Sequence, residues 1–152
     1  MKLRIRFGKE GIVRFIGHLD IMRYFQKAFR RAGLDMRYSQ GFHPHQIISF
    51  ASPLGVGLES SGEYMDIEVN SISDLDSMKK AINEQMVEGI TVYSIVTLPD
   101  DAKNSMSLVA AADYLVMLPE YGEKVESGMC YGSDQIRKMA GEFMAREHIT
   151  VL

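Results

Sequence analysis

Apolar and polar residues alternate strictly over residues 2–7, with Leu3, Ile5 and Phe7 on one side and Lys2, Arg4 and Arg6 on the other. A period of two is that of a half-buried strand. Gly8-Lys9-Glu10-Gly11 reads as a turn, and residues 12–16 run apolar toward a helix beginning near His18. From Leu19 to Ala32 the spacing changes to three and four. Met22, Phe25, Phe29 and Ala32 repeat along one face while Arg23, Lys27, Arg30 and Arg31 fill the other. Asp20 suits the positive first turn, the last two arginines suit the negative last turn, and Gly33 ends the helix.

Residues 36–39 read as a short extended piece and 40–44 as a turn, because Gly41 permits positive φ and Pro44 disfavours helix at His43. A second strand follows over 46–51. Three glycines and three serines make 52–62 a loop, and over 63–69 the period returns to two, with Met65, Ile67 and Val69 opposite Tyr64, Asp66 and Glu68. Caps at Ser71, Ser73 and Asp74 precede Leu75, Met78, Ile82 and Met86 at helical spacing, ending at Gly89. Residues 90–98, rich in β-branched side chains, form the fourth strand. The order β-α-β-β-α-β predicts an α+β, ferredoxin-like sandwich over residues 1–99, with both helices on one face of an antiparallel sheet.

Beyond it, residues 100–107 form a polar linker and 108–152 a partial second α/β unit. That unit is expected to hold a strand over 108–118, turns over 119–133, and a helix over 134–146 with Ile136, Met139, Ala140 and Phe143 inward. The extended run at 149–152 stops while still apolar, which predicts a domain truncated after Leu152.

Composition narrows the class. Of 152 residues 46% are hydrophobic and 24% charged, the balance of an ordinary folded soluble chain rather than a disordered one. The single cysteine, Cys130, has no partner for an intramolecular disulfide, and no secretory leader is visible, so a cytoplasmic location is expected. No apolar stretch approaches the ~18 residues of a membrane span. The net charge of −3 conceals a division. Residues 1–50 hold ten Lys/Arg against three acids, a balance of +7, which leaves −10 for the rest. Such asymmetry marks either a polyanion-binding face or charge matched within the fold.

Three groups of residues carry candidate chemistry. The cations Lys2, Arg4 and Arg6 would share the open sheet face with Tyr64, Asp66 and Glu68, and cross-strand ion pairs account for them more simply than RNA stacking does. On the first helix only Asp20 can reach a cation, Arg23, so Lys27, Arg30, Arg31 and the following Arg37 suit a phosphate backbone or else the acidic half of the same protein. The loop YSQGFHPH (38–45) places His43 and His45 two residues apart. A metal there would need a third ligand from His18, Asp20 or Glu63, and no second compact pair exists, so no metal site is predicted. An imidazole can also act as general base in RNA cleavage, with His18 or His45 as the candidate, or simply hydrogen-bond backbone in a tight turn. Phosphate-loop, dinucleotide and iron–sulfur motifs are absent, and no cofactor is expected. Gly55 and Gly57 are expected to let their loop pass close to YSQGFHPH.

The segments FIGHLDIMRYFQKAFRRAGL and YSQGFHPHQIISFASPLGVGLESSGEYMDIEV resemble the bacterial radical-SAM-associated family DUF2344. The resemblance rests on H-L-D at His18, Leu19 and Asp20; on R-R-A at Arg30, Arg31 and Ala32; and on S-x-G-F-x-P-H at Ser39, Gly41, Phe42, Pro44 and His45. An S-x-x-E at Ser60 and Glu63 completes it. His43 stands where the family pattern has asparagine. The resemblance implies a radical SAM protein as partner and a domain longer than this chain. Together these features lead us to expect a non-catalytic accessory module that binds ribosomal or transfer RNA through Arg23, Lys27, Arg30, Arg31 and Arg37. A pocket of His18, Asp20, Ser39, Gly41, Phe42, Pro44, His45, Ser60 and Glu63 is expected beside them. The alternatives are a ferredoxin-like endoribonuclease and a subunit whose basic face docks on the radical SAM partner.

Overall fold

The structure, a computed structural model, describes residues 1–115 and 133–145. Two compact units divide the chain, Met1–Ala112 and Asp113–Leu152. In the first, β1 (Lys2–Lys9), α1 (His18–Arg31), β2 (Ile48–Phe50), β3 (Ser60–Glu68), α2 (Leu75–Asn83) and β4 (Ile90–Leu98) follow one another. The strands lie in the order β2-β3-β1-β4 with every neighbouring pair antiparallel. This is a mixed α/β fold, and its strand order is the one a β-α-β-β-α-β sandwich requires.

Period decides which face is buried. Leu3, Ile5 and Phe7 of β1, Met65 and Ile67 of β3 and Val69 just after it share one core with Phe25 and Phe29 of α1 and Met78 and Ile82 of α2. Both helices therefore cover the same side of the sheet. Helix α1 ends where Gly33, at φ 73°, allows the Gly33 and Leu34 amides to reach back to the carbonyls of Arg30 and Phe29 at 3.2 and 3.0 Å. Helix α2 starts where the Asp74 carboxylate accepts from the Ser77 amide at 2.8 Å, and that bond first of all holds the Asp74 carboxyl below its ordinary range.

On the opposite face Arg4 and Asp66 are directly paired, with guanidinium–carboxylate bonds of 2.7 and 3.0 Å. The expected cross-strand pair is present. Residues 100–107, read from sequence as a linker, run against this same face within the first unit. The Ser105 amide donates to Asp66 at 2.7 Å, Arg4 donates to the Lys103 carbonyl at 3.1 Å, and Lys2 donates to the Asp100 carbonyl at 3.1 Å. Burial works against the charged form of Asp66, but the bonds from Arg4 and Ser105 outweigh it and hold the carboxyl below its ordinary range.

The second unit contains α3 (Ser133–Met144). Met139 and Ala140, expected on its inward side, are exposed, while the side chains of Ile136 and Phe143 lie outside the described residues. Of the strand expected over 108–118, Leu108 closes a 3-10 turn and residues 109–115 form no regular element. Residues 116–118, the turns over 119–132 and the run at 149–152 are outside the described residues.

Candidate nucleic-acid interface and an adjoining recess

Helical geometry places Arg23, Lys27 and Arg30 at i, i+4 and i+7, so they form one exposed stripe along α1. Arg23 makes a 3.4 Å ion pair with Asp20 in which both side chains are mostly exposed, a contact of little strength. The side chains of Lys27 and Arg30 form no hydrogen bond or ion pair among the described residues. Arg31 turns away to donate to the Gln85 carbonyl at 3.3 Å, and Arg37 pairs with Glu68 at 3.0 Å. The acidic half of the chain thus accounts for Arg37 but leaves the centre of the stripe unneutralised.

YSQGFHPH projects beside this stripe as a closed loop. Tyr38 and Gln46 form a β-bridge at its base, and the Ser39 amide donates to the His45 carbonyl at 2.9 Å. The Ser39 hydroxyl oxygen accepts from the His45 amide at 3.1 Å and lies 2.9 Å from the ring Nδ1 of His45. Gly41 adopts φ 119°, where a β-carbon would be strained. Buried Gln46 donates to the Gln26 carbonyl at 3.3 Å and so fixes the loop to α1 between Arg23 and Arg30. Phe42 is fully exposed at the tip, with Tyr38, His43, Pro44 and His45 exposed around it. The loop therefore presents exposed rings on a segment whose base is tied to α1.

His18 belongs to a different place. Its ring packs edge-on against Phe50, with centroids 5.0 Å apart, and lines a small, shallow, solvent-open recess with Lys9, Glu63, Ser52, Leu54 and the core edge at Phe7 and Ile21. No residue of the YSQGFHPH loop lines this recess. The expected pocket residues thus divide: His18 and Glu63 share the recess, and Ser39, Gly41, Phe42, Pro44 and His45 form the loop. Asp20 is exposed beside Arg23, and the Ser60 hydroxyl accepts from the Gly62 amide at 3.2 Å. The loop at 52–62 folds back on residues 11–17 instead of on YSQGFHPH: the Gly57 amide donates to the Arg14 carbonyl at 2.9 Å, and Glu59 pairs with Arg14 at 2.8 Å.

Lys9 is the residue that sequence reasoning missed. It is 2% exposed, and its ammonium donates to the carbonyls of Arg14 and Ile16 at 3.2 and 2.7 Å. Burial lowers its pKa, while the nearby Glu63 charge opposes the shift. The signal was the alternation itself, since positions 3, 5, 7 and 9 share one parity and Lys9 therefore faces inward. Among the described residues no three His, Cys, Asp or Glu side chains converge as a metal-binding set.

The H-L-D, R-R-A and S-x-G-F-x-P-H segments thus stand on two adjoining elements, α1 and the loop tied to it. The family model described as "Uncharacterized protein conserved in bacteria (DUF2344)" matches residues 2–152. The chain belongs to this family. No curated protein matches it. Among the described residues of this DUF2344 chain, no helix is long and apolar enough to cross a membrane.

Proposed function

We propose that this DUF2344 chain is a non-catalytic RNA-binding module that serves a radical SAM enzyme. The observation that carries the RNA reading is that α1 bears the unneutralised Lys27 and Arg30 while the loop whose base Gln46 ties to α1 exposes Tyr38 and Phe42. Cations along a groove or ridge hold a phosphate backbone, and exposed rings stack on unpaired bases. Single-stranded RNA, such as a loop of ribosomal or transfer RNA, offers both features. The radical SAM partner follows from the family resemblance.

An electrophoretic shift assay with total RNA tests the reading. The wild-type chain should bind at low salt, and Lys27→Glu combined with Arg30→Glu should weaken binding about tenfold or more. Labelled RNA incubated with the protein should stay intact. Absence of a shift at low salt, or equal shifts for both proteins, refutes the assignment.

A second reading, docking on a protein partner, is favoured by a separate corner. Ile12 and Phe15 of the 3-10 turn Gly11–Phe15, Leu19 of α1, and Val56 and Leu58 of the folded-back loop are all exposed there. Several large apolar side chains exposed at one corner mark an interaction surface. Co-purification of a radical SAM protein after nuclease treatment, lost on Phe15→Glu, supports this docking. Retention through Phe15→Glu places the contact elsewhere.

A further inference from the structure

On the sheet face opposite the helices β1 presents Lys2, Arg4 and Arg6, and of these only Arg4 finds a carboxylate among the described residues. Residues 100–105 meet Lys2, Arg4 and Asp66 there, and no hydrogen bond from that segment reaches Arg6. The Arg6 side chain is exposed. Its guanidinium donates to the Ser61 carbonyl at 3.2 Å, which leaves its charge uncompensated.

Two aromatic rings flank this guanidinium. Tyr64 of β3 is the direct cross-strand partner of Arg6, so both side chains leave the sheet on the same face. Tyr93 of β4 follows core-facing Val92, and its ring centroid lies 5.5 Å from the guanidinium carbon of Arg6. Gly8 sets the tilt of that ring. The phenol end of Tyr93 fills the space that a β-carbon at Gly8 would need, and its hydroxyl donates to Glu10 at 3.3 Å. The ring is thus laid along β1 and anchored at its far end. Tyr64 and Tyr93 remain 41% and 39% exposed, which leaves both rings open to a ligand.

Chemistry selects that ligand. A guanidinium and a phenol ring each offer a planar surface on which a base stacks, and an unpaired guanidinium also attracts phosphate. Three such groups on neighbouring strands, at ~5 Å per strand, form a row about 10 Å across. Four-stranded sheets bind single-stranded RNA by stacking roughly two or three bases on such side chains.

We propose that Tyr64, Arg6 and Tyr93 form a platform that stacks unpaired bases of single-stranded RNA. The proposal deepens the RNA-binding reading above and rests on it for the choice of RNA. The platform shares no residue with the α1 stripe, because the helices cover the other face of the sheet. It supplies base contacts where the stripe supplies phosphate contacts.

The test uses the full chain and two end-labelled single strands of equal length, oligoadenylate RNA and the same ribose-phosphate chain without bases, read by fluorescence anisotropy at one low salt concentration. The wild type should bind oligoadenylate about tenfold tighter or more, as expected for stacked bases. Tyr64→Leu with Tyr93→Leu should lower oligoadenylate affinity about tenfold and leave the abasic probe unchanged. Tyr64→Phe with Tyr93→Phe keeps both rings and should stay within about twofold of wild type, which separates stacking from the hydroxyl bond to Glu10. Lys27→Glu with Arg30→Glu should weaken both probes and preserve their ratio. Unchanged oligoadenylate affinity in the leucine pair, which frees the row for a protein contact, overturns the platform, and so does an equal loss for both probes. The RNA-binding reading then stands on the Lys27 and Arg30 result. Failure of the wild type to bind either probe overturns both.

Discussion

Asp66→Asn removes the carboxylate that joins three parts of the first unit: Arg4 of β1, β3 itself, and the segment at 100–107. The carboxylate accepts three bonds of 2.7 to 3.0 Å, and the two side chains of its ion pair are only 18% and 14% exposed. An asparagine keeps one acceptor oxygen and turns an N–H₂ toward donors, so about two charge-assisted bonds are lost. At roughly 1.5–3 kcal/mol each, discounted for the water that still reaches Arg4, the expected cost is about 2–3 kcal/mol. With a urea m-value of about 1.5 kcal/mol/M, the midpoint should fall by about 1.3–2 M. Urea unfolding followed by far-UV circular dichroism measures it. Asp20→Asn, which removes an exposed 3.4 Å pair, is the control and should cost under about 0.5 kcal/mol. If Asp66→Asn costs no more than Asp20→Asn, residues 100–107 are not held by this carboxylate.

The same group gives a pH dependence. Because the folded Asp66 carboxyl lies below its ordinary value, its contribution is complete above about pH 3.9 and is lost as pH falls through the lower folded value. The stability difference between wild type and Asp66→Asn should therefore narrow below about pH 3.9 in acid titrations at fixed urea, and a difference constant to lower pH contradicts the coupling. Ser39→Ala removes the acceptor for the His45 amide, so exchange of that amide should quicken about fivefold, a loss of about 1 kcal/mol; unchanged exchange means the loop is closed by its backbone alone. Gly89 adopts φ 94°, and a β-carbon there would overlap the Glu10 carbonyl, so Gly89→Ala should destabilise the unit by more than about 1 kcal/mol in the same urea assay.

Much of the fold was legible because period and face coincide. Positions 3, 5 and 7, 65, 67 and 69, and 25 and 29 are apolar for the reason that they meet in one core, and Arg4 with Asp66 could be paired across strands once β1 and β3 were neighbours. Caps were readable for the same local reason: Asp74 and Gly33 satisfy backbone groups within a few residues. Contacts set by tertiary geometry were not readable. The Gly8-Lys9-Glu10-Gly11 segment has the composition of a turn, yet β1 runs on to Lys9, which paired a lysine with the core face and hid the recess. Residues 100–107 are polar enough for a linker because their backbone serves Lys2, Arg4 and Asp66 on the polar side of the sheet. At the candidate site the stripe and the loop were visible as residue types. That Gln46 ties the loop to Gln26, and that Arg31 and Arg37 have acceptors elsewhere, required the fold.

The central claim, that Lys27 and Arg30 hold RNA phosphates, is tested most directly by the salt dependence of RNA affinity. Each phosphate neutralised on a single strand contributes a slope of about −0.7 in log K against log salt. The account predicts that Lys27→Ala with Arg30→Ala flattens the wild-type slope by about 1.4. An unchanged slope, or a wild-type chain whose RNA affinity does not respond to salt, contradicts it.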